Sequence, residues 1–86
     1  MMSIILGTSF KNKYSELEKK IRNKFKERIS IFIFDEFNPI LNNHSLRGKY
    51  LGYRSINVSG DIRAIYKKRN NVAIFVYIDN YNNLYK

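Results

Sequence analysis

The spacing of apolar residues in the first half of the chain predicts two helices. Phe10, Tyr14, Leu17 and Ile21 recur at helical intervals and define one apolar face. The same spacing continues to residue 32, and the apolar segment 29–34 is interpreted as the buried end of the second helix rather than as a strand. A break near residues 20–22 would make the pair a helical hairpin, and Pro39 ends the helical region.

The second half of the chain alternates between polar and apolar residues, which predicts strands. In residues 53–59 one face carries Tyr53, Ser55, Asn57 and Ser59, and the other carries Arg54, Ile56 and Val58. Segments 62–68 and 72–78 predict two more strands joined by a hairpin, and the run 2–6, ended by Gly7, predicts a first strand. The order β-α-α-β-β-β predicts an α+β fold with the helices on one face of a twisted antiparallel sheet.

Length and composition restrict the kind of protein this is. The chain has 86 residues, which is the size of a single domain, here residues 1–86. It contains no cysteine and one histidine, which excludes a disulfide framework and a zinc site built from cysteines or several histidines. No apolar run approaches the ~20 residues of a membrane span, so we expect a cytoplasmic protein with no membrane partner.

The charge indicates a polyanionic partner. Sixteen Lys and Arg against seven Asp and Glu give a net charge of +9. Residues 1–43 have a net charge of +3 and residues 44–86 have +6, so we expect the polyanion to bind mainly to the second half.

Three motifs in the second half, with a fourth at the end, carry a family resemblance. They are HSLRG (44–48), GYRSI (52–56), GDIRAIY (60–66) and the tail NLYK (83–86). In order and spacing the chain resembles the RelE/ParE superfamily of bacterial toxins, specifically its RelE/StbE (YafQ-like) branch. The resemblance covers nearly the whole chain and implies a RelE-like fold.

The resemblance also implies a function. Such a protein is the toxin of a type II toxin–antitoxin system and a ribosome-dependent endonuclease that cuts mRNA in the A site. The 2′-OH attacks the adjacent phosphate, and neither a metal nor another cofactor takes part. The implied partners are the ribosome with its mRNA and a cognate acidic antitoxin. The toxin would contact promoter DNA only through the antitoxin.

Four residues match catalytic positions of the family, and each has a plainer interpretation. His44 belongs to the one residue type that exchanges protons near neutral pH, but it could be a polar loop residue. Arg63 would bind the scissile phosphate with its guanidinium fork, or it could be a solvated strand residue. Asp61 would act as a base or orient a partner, or cap the turn at Gly60. Tyr81 would stack on a base or donate a proton, or pack back onto the sheet.

Four more residues are candidates for RNA binding. Arg47, Lys49 and Arg54 lie close together in sequence around a glycine turn and would hold the RNA backbone, or they could be a solvated charged loop. Tyr85, like Tyr81, would stack on a base or plug the core. We expect the three cations to form one basic cluster with Arg63.

Two departures from the family leave an alternative open. YafQ-like toxins carry histidines where this chain has Asn57 and Tyr81, and an asparagine cannot transfer protons. The alternative is therefore a toxin without nuclease activity, either a ParE-like gyrase poison or a degenerate toxin that only binds its antitoxin.

Overall fold

The computed structural model describes residues 1–85, and Lys86, the last residue of the NLYK motif, lies outside them. Five strands form one sheet. The strands and helices are β1 (Ser3–Leu6), α1 (Thr8–Glu16), α2 (Lys19–Phe32), β2 (His44–Ser45), β3 (Arg54–Ser59), β4 (Ile62–Arg69), β5 (Val72–Asn80) and α3 (Tyr81–Leu84). Two short 3₁₀ turns, Pro39–Leu41 and Gly48–Tyr50, flank β2.

The strand order across the sheet is β1-β5-β4-β3-β2. The pairs among β2, β3, β4 and β5 are antiparallel, whereas β1 pairs with β5 in parallel. The α+β class and the order of the predicted elements are confirmed. The expectation of a purely antiparallel sheet is wrong, because the α1–α2 hairpin returns the chain so that β1 and β5 run in the same direction.

The break between the two helices lies earlier than the sequence suggested. Leu17 is extended, with ψ of 153°, and α2 starts at Lys19. At the break, Arg22 donates to the Leu17 oxygen. The Tyr14 hydroxyl donates to the Arg22 oxygen at 3.0 Å, which ties α1 to α2. The chain therefore turns without a glycine or proline at this point.

Aromatic rings fill the space between the helices and the sheet. Phe75 of β5 lies at the centre, with ring centroids at 5.9 Å from Phe10, 5.7 Å from Phe25, 5.5 Å from Phe32 and 5.1 Å from Tyr66. Phe32 ends α2 and is fully buried, so the interpretation of segment 29–34 as the buried end of the second helix is confirmed as far as residue 32. It is wrong for Ile33 and Phe34, which follow the end of the helix, and Phe34 is 75 % exposed.

Two elements were not predicted, namely the two-residue strand β2 and the short helix α3. The side chain of Asn80 caps α3 by accepting from the Asn83 N–H at 2.8 Å. The Tyr81 N–H donates to the Asp61 oxygen at 2.8 Å, which ties α3 to the turn between β3 and β4. Leu84 is buried on the sheet face opposite the two long helices.

The described part of the chain contains no helix that is long and apolar enough to cross a membrane.

Candidate functional site

The candidate site is the sheet face that α1 and α2 leave uncovered, which we call the open face. Residues paired across neighbouring strands point to the same side of a sheet. The register aligns His44, Ser55, Ile65 and Tyr77 in one row and Asn57, Arg63 and Asp79 in the next. The site-bearing residues of four strands, β2 to β5, therefore share one surface.

Tyrosines dominate this surface. Five of the seven tyrosines form a cluster on it, the tyrosine cluster: Tyr50, Tyr53, Tyr77, Tyr81 and Tyr85. The Tyr50 ring lies 6.4 Å from that of Tyr53, 5.9 Å from Tyr77 and 5.8 Å from Tyr85. The rings of Tyr81 and Tyr85 lie 4.7 Å apart.

Sequence reasoning identified only Tyr81 and Tyr85 of this cluster. A bulge explains why Tyr77 was missed: Ile65 pairs with Tyr77 while the next residue, Tyr66, pairs with Phe75. The extra residue, Val76, packs on the open face beside Tyr77, and the simple alternation is lost.

The tyrosine cluster raises the pKa of the Tyr50 phenol and carries cations at its margin. Burial, followed by the neighbouring phenols of Tyr77 and Tyr85, raises the pKa of Tyr50. The Lys49 ammonium lies 5.2 Å from the centre of the Tyr50 ring, and that of Lys67 lies 5.8 Å from the centre of the Tyr53 ring. Lys67, which the sequence analysis did not select, therefore belongs to the site.

Arg63 projects from β4 onto the open face between Asn57 and Asp79. Its Nη1 donates to the Gly60 carbonyl oxygen at 2.8 Å. None of the ion pairs formed within residues 1–85 involves Arg63, because Asp79 pairs instead with Lys13 at 3.5 Å. Burial works against the charge of Asp79, but bonds from Asn80 and Asn83 and the charge of Lys13 lower its pKa below its ordinary value. Arg63 is thus anchored at one nitrogen and open to an anion.

His44 is exposed on β2, on the same face as Arg63. Its Nδ1 lies 2.9 Å from the Asn42 carbonyl oxygen. A carbonyl oxygen only accepts, so Nδ1 carries the proton and Nε2 is the basic nitrogen of the neutral ring. Strand spacings place the Cα atoms of His44 and Arg63 about 12 Å apart, which is two strands across and two residues along.

The other two catalytic candidates, Asp61 and Tyr81, lie together at the end of the sheet where the turn at residues 60–61 joins β3 to β4. Asp61 is exposed, and its backbone oxygen holds Tyr81 through the 2.8 Å bond to the Tyr81 N–H. Tyr81 is 52 % exposed, whereas Tyr85 is half-buried, and the Tyr85 hydroxyl finds no partner within the described residues. Tyr85 therefore packs back onto the sheet, while the Tyr81 ring remains accessible.

The four basic residues expected to form one cluster lie on two surfaces. Arg54 pairs with Tyr66 on the helix-covered side of the sheet, whereas Arg63 and Lys49 lie on the open face. Arg47 and Arg54 line a separate cavity at the β2–β3 edge. The expectation of a single basic cluster is therefore wrong. Successive residues of a strand point to opposite faces of the sheet, and the strand register places Arg54 and Arg63 on opposite faces.

A hydrogen-bonded group that the sequence analysis did not identify holds Arg54 in place; we call it the Glu36 network. The Tyr66 hydroxyl donates to Glu36 at 2.6 Å and the Lys68 ammonium donates to Glu36 at 2.8 Å. Asn43 donates to the Tyr66 hydroxyl at 2.7 Å and accepts from Arg54 Nε at 2.7 Å. No periodic pattern connects residues so far apart in sequence.

The Glu36 network favours a charged Glu36 and a neutral Tyr66. Burial acts to raise the pKa of Glu36, but the bonds from Lys68 and Tyr66 and the nearby positive charges lower it below its ordinary value. Burial and the bond to Glu36 raise the pKa of Tyr66 strongly.

The described residues contain no group of three or more metal-ligating side chains that could hold a metal ion. The side chains of the open face offer a guanidinium for an anion, an imidazole for a proton and phenol rings for stacking.

No protein-family model matches the chain, and no curated protein sequence matches it significantly. Solved structures match it well. YafQ from E. coli strain BL21(DE3) superposes with a TM-score of 0.82 at 21 % identity, over 100 % of both chains. The YoeB/ParE toxin from Agrobacterium tumefaciens superposes with a TM-score of 0.77 at 15 % identity, over 93 % of this chain and 99 % of that one.

A toxin in complex with its antitoxin is also similar. The chain matches a chain of the E. coli DinJ–YafQ toxin–antitoxin complex with a TM-score of 0.79 at 21 % identity, over 99 % of this chain and 98 % of that chain. Together with the motifs at residues 44–66, these matches lead to one conclusion: the chain has the fold of the RelE/YafQ-like toxins.

Proposed function

We propose that the protein is the toxin of a type II toxin–antitoxin pair and cleaves mRNA in the ribosomal A site. One observation carries the proposal: the open face holds Arg63, His44 and the tyrosine cluster together. Arg63 can bind a phosphate, and His44 can transfer a proton. Single-stranded RNA is bound by just this combination of cations and stacking rings.

The reaction needs three contributions from the open face. The 2′-oxygen loses its proton to a base, attacks the adjacent phosphorus and expels the 5′-oxygen, which takes up a proton. The products are a 2′,3′-cyclic phosphate and a 5′-hydroxyl. His44 Nε2 serves as the base, Arg63 binds the phosphate oxygens on which charge develops, and Tyr81 donates to the leaving oxygen.

The remaining candidates position the substrate. Asp61 orients the turn that carries Tyr81, and Tyr85 supports the Tyr81 ring at 4.7 Å. Lys49 and Lys67 hold the RNA backbone beside the tyrosine cluster. No step requires a metal ion.

The partners follow from this role. An acidic antitoxin would neutralise the basic protein in the cytoplasm and would connect it to promoter DNA, and the ribosome would present the mRNA. The DinJ–YafQ complex supports an antitoxin partner.

The second candidate is a toxin that does not cleave RNA. Asn57 favours it, because this residue lies beside Arg63 at the centre of the open face and cannot transfer a proton. Gyrase poisoning or antitoxin binding alone would then be the activity.

Primer extension on mRNA from a translating extract tests the proposal. When the purified protein is added, primer extension should stop at cleavage sites within the codons of the mRNA. These stops should appear only while ribosomes translate the mRNA. A parallel gyrase supercoiling assay should show no inhibition. Intact mRNA together with inhibited gyrase would favour the second candidate and end the nuclease proposal.

A further inference from the structure

The strand that carries His44 fixes it only weakly. β2 consists of His44 and Ser45, which are both exposed, and it is the last strand on its side of the sheet. It pairs on one side only, with Ser55 and Arg54 of β3. Within residues 1–85 the imidazole makes one hydrogen bond, between Nδ1 and the Asn42 carbonyl oxygen at 2.9 Å. The orientation of the ring therefore depends on the direction of that carbonyl group.

The backbone of Asn42 sets this direction. Asn42 lies in the left-handed region, with φ of 44° and ψ of 48°, and its N–H donates to the Pro39 oxygen at 3.1 Å. Asparagine adopts this conformation more readily than most residues, whereas a β-branched residue is strongly disfavoured there. If Asn42 relaxed out of the left-handed region, its oxygen would move away from the ring of His44.

Asn43 lies between the two hydrogen-bonded residues, and the Glu36 network fixes its side chain. Its Nδ2 donates to the Glu36 backbone oxygen at 3.1 Å and to the Tyr66 hydroxyl at 2.7 Å. Its Oδ1 accepts from Arg54 Nε at 2.7 Å. Tyr66 is fully buried, so these three bonds attach the chain at Asn43 to the core.

The covalent chain transmits this restraint to the open face. The Asn42 carbonyl carbon is bonded to the Asn43 nitrogen, and the Asn43 carbonyl carbon is bonded to the His44 nitrogen. A fixed Asn43 therefore limits the motion of both the carbonyl oxygen and the imidazole. The Asn43 side chain bonds on the helix-covered side, whereas His44 lies on the open face, as expected for successive residues that enter a strand.

The bond to Asn42 decides which nitrogen of His44 is basic. A neutral imidazole in water exchanges its proton between the two nitrogens and carries it mostly on Nε2. A carbonyl oxygen only accepts, so the bond to Asn42 keeps the proton on Nδ1 and leaves the lone pair on Nε2. Because Nδ1 is occupied by the chain itself, Nε2 is the nitrogen that can take a proton from a ligand.

We propose that the Glu36 network positions His44, with Asn42 and Asn43 as the positioning residues. The network holds the segment so that the Asn42 oxygen keeps the His44 proton on Nδ1. Arg54 then acts on the site through Asn43. The use of Nε2 as a base in RNA cleavage rests on the proposed function, whereas the location of the proton does not.

Nitrogen NMR of the imidazole tests the proposal, because the chain has one histidine and its signals are unambiguous. At a pH at which the ring is neutral, Nδ1 should show the chemical shift of a protonated nitrogen and Nε2 that of an unprotonated one. Asn43→Ala removes the three bonds and should move both shifts towards those of an imidazole that exchanges its proton freely. The rate of mRNA cleavage should fall about 10–100-fold, because the base is misoriented. Binding of a single-stranded RNA oligonucleotide, measured by fluorescence anisotropy, should not change.

A second set of variants changes the backbone of Asn42 and leaves the Glu36 network intact. Asn42→Val disfavours the left-handed conformation and should shift the imidazole signals as Asn43→Ala does, whereas Asn42→Gly permits it and should keep the wild-type shifts. Asn70→Val is the matched control, because Asn70 also has a left-handed backbone, with φ of 54°, in the turn between β4 and β5. It should leave the imidazole signals unchanged. Dispersed amide spectra establish that each variant is folded.

The imidazole signals are measured without RNA, so a protein that does not cut mRNA would still give the expected shifts, and the two proposals can fail separately. A wild-type proton on Nε2, or wild-type shifts in both Asn43→Ala and Asn42→Val, would overturn the positioning of His44. Equal changes in Asn70→Val would assign them to a general loosening of the fold and would overturn it as well. Altered shifts with an unchanged rate of mRNA cleavage would overturn the contribution of this positioning to catalysis.

Discussion

The two faces of the sheet use aromatic rings in opposite ways. On the helix-covered face, Phe10, Phe32 and Phe75 are fully buried and carry no polar atom. On the open face the rings are tyrosines, and Tyr77 and Tyr81 remain 45 % and 52 % exposed. A buried ring contributes its area to stability, whereas an exposed phenol ring offers a stacking surface with a polar edge.

A single strand supplies both faces. In β4, Ala64 and Tyr66 point into the core, and Arg63 points away from it beside the buried Ile65. Arg63 is therefore the residue of β4 at which a substitution should affect chemistry without removing a core side chain.

The largest effect should come from Phe75→Ala, which removes the ring at the centre of the helix-covered core. We expect a loss of about 3–5 kcal/mol in the free energy of unfolding, measured by urea denaturation. Phe34→Ala, at a ring that is 75 % exposed, should change it by less than about 0.5 kcal/mol. A similar loss for both would show that the helix-covered face is not the main core.

Arg63→Ala should separate chemistry from stability on β4. The rate of mRNA cleavage in a translating extract should fall about 10²–10³-fold, because a charged donor to the phosphate is lost. The free energy of unfolding should change little. Arg69→Ala, an exposed arginine on the same strand, is the charge-matched control and should cleave normally. Normal cleavage by Arg63→Ala would remove Arg63 from the mechanism.

Tyr77→Ala should weaken binding of a single-stranded RNA oligonucleotide about tenfold, measured by fluorescence anisotropy, because one stacking ring is lost. Tyr77→Phe keeps the ring and should bind almost as tightly as the wild type. If the alanine variant binds equally well, the tyrosine cluster supports the fold without contacting bases.

The smallest effect concerns acid stability. Since the pKa of Glu36 is lowered from 4.5 in the folded protein, the stability it contributes is present above pH 4.5 and is lost as the pH falls through the lowered value. Glu36→Gln should cost about 1 kcal/mol at pH 7 and less at pH 3. Thermal unfolding at both pH values measures this, with the exposed Glu16→Gln as control. A cost that does not change with pH would contradict the assigned charge.

Local patterns were sufficient for the elements that depend on local interactions. Helical spacing predicted the apolar faces of both long helices, and alternation placed Arg54 with Ile56 and Val58, on the face opposite Ser55. Alternation alone does not say which face the helices cover. The basic residues were therefore grouped by proximity in sequence, and the structure divides them between two surfaces.

Long-range features were beyond the reach of the sequence. The bond between Tyr66 and Glu36 joins residues thirty positions apart, and no repeat marks it. The bulge at Val76 breaks the alternation that would have revealed Tyr77. The parallel direction of β1 depends on how the helical hairpin returns the chain.

The pairing of β1 with β5 has a consequence for folding. Ser3 pairs with Val72, and the Asn71 side chain donates to the Met1 oxygen at 2.6 Å, across seventy positions. During synthesis, β1 therefore has no partner until both helices and the β3–β4 hairpin have been made. Contacts between such distant residues slow folding, because a long loop must close before they form. β1 is translated before the other strands of this sheet and is among the last to be secured, because the sheet is completed only when β5 becomes available.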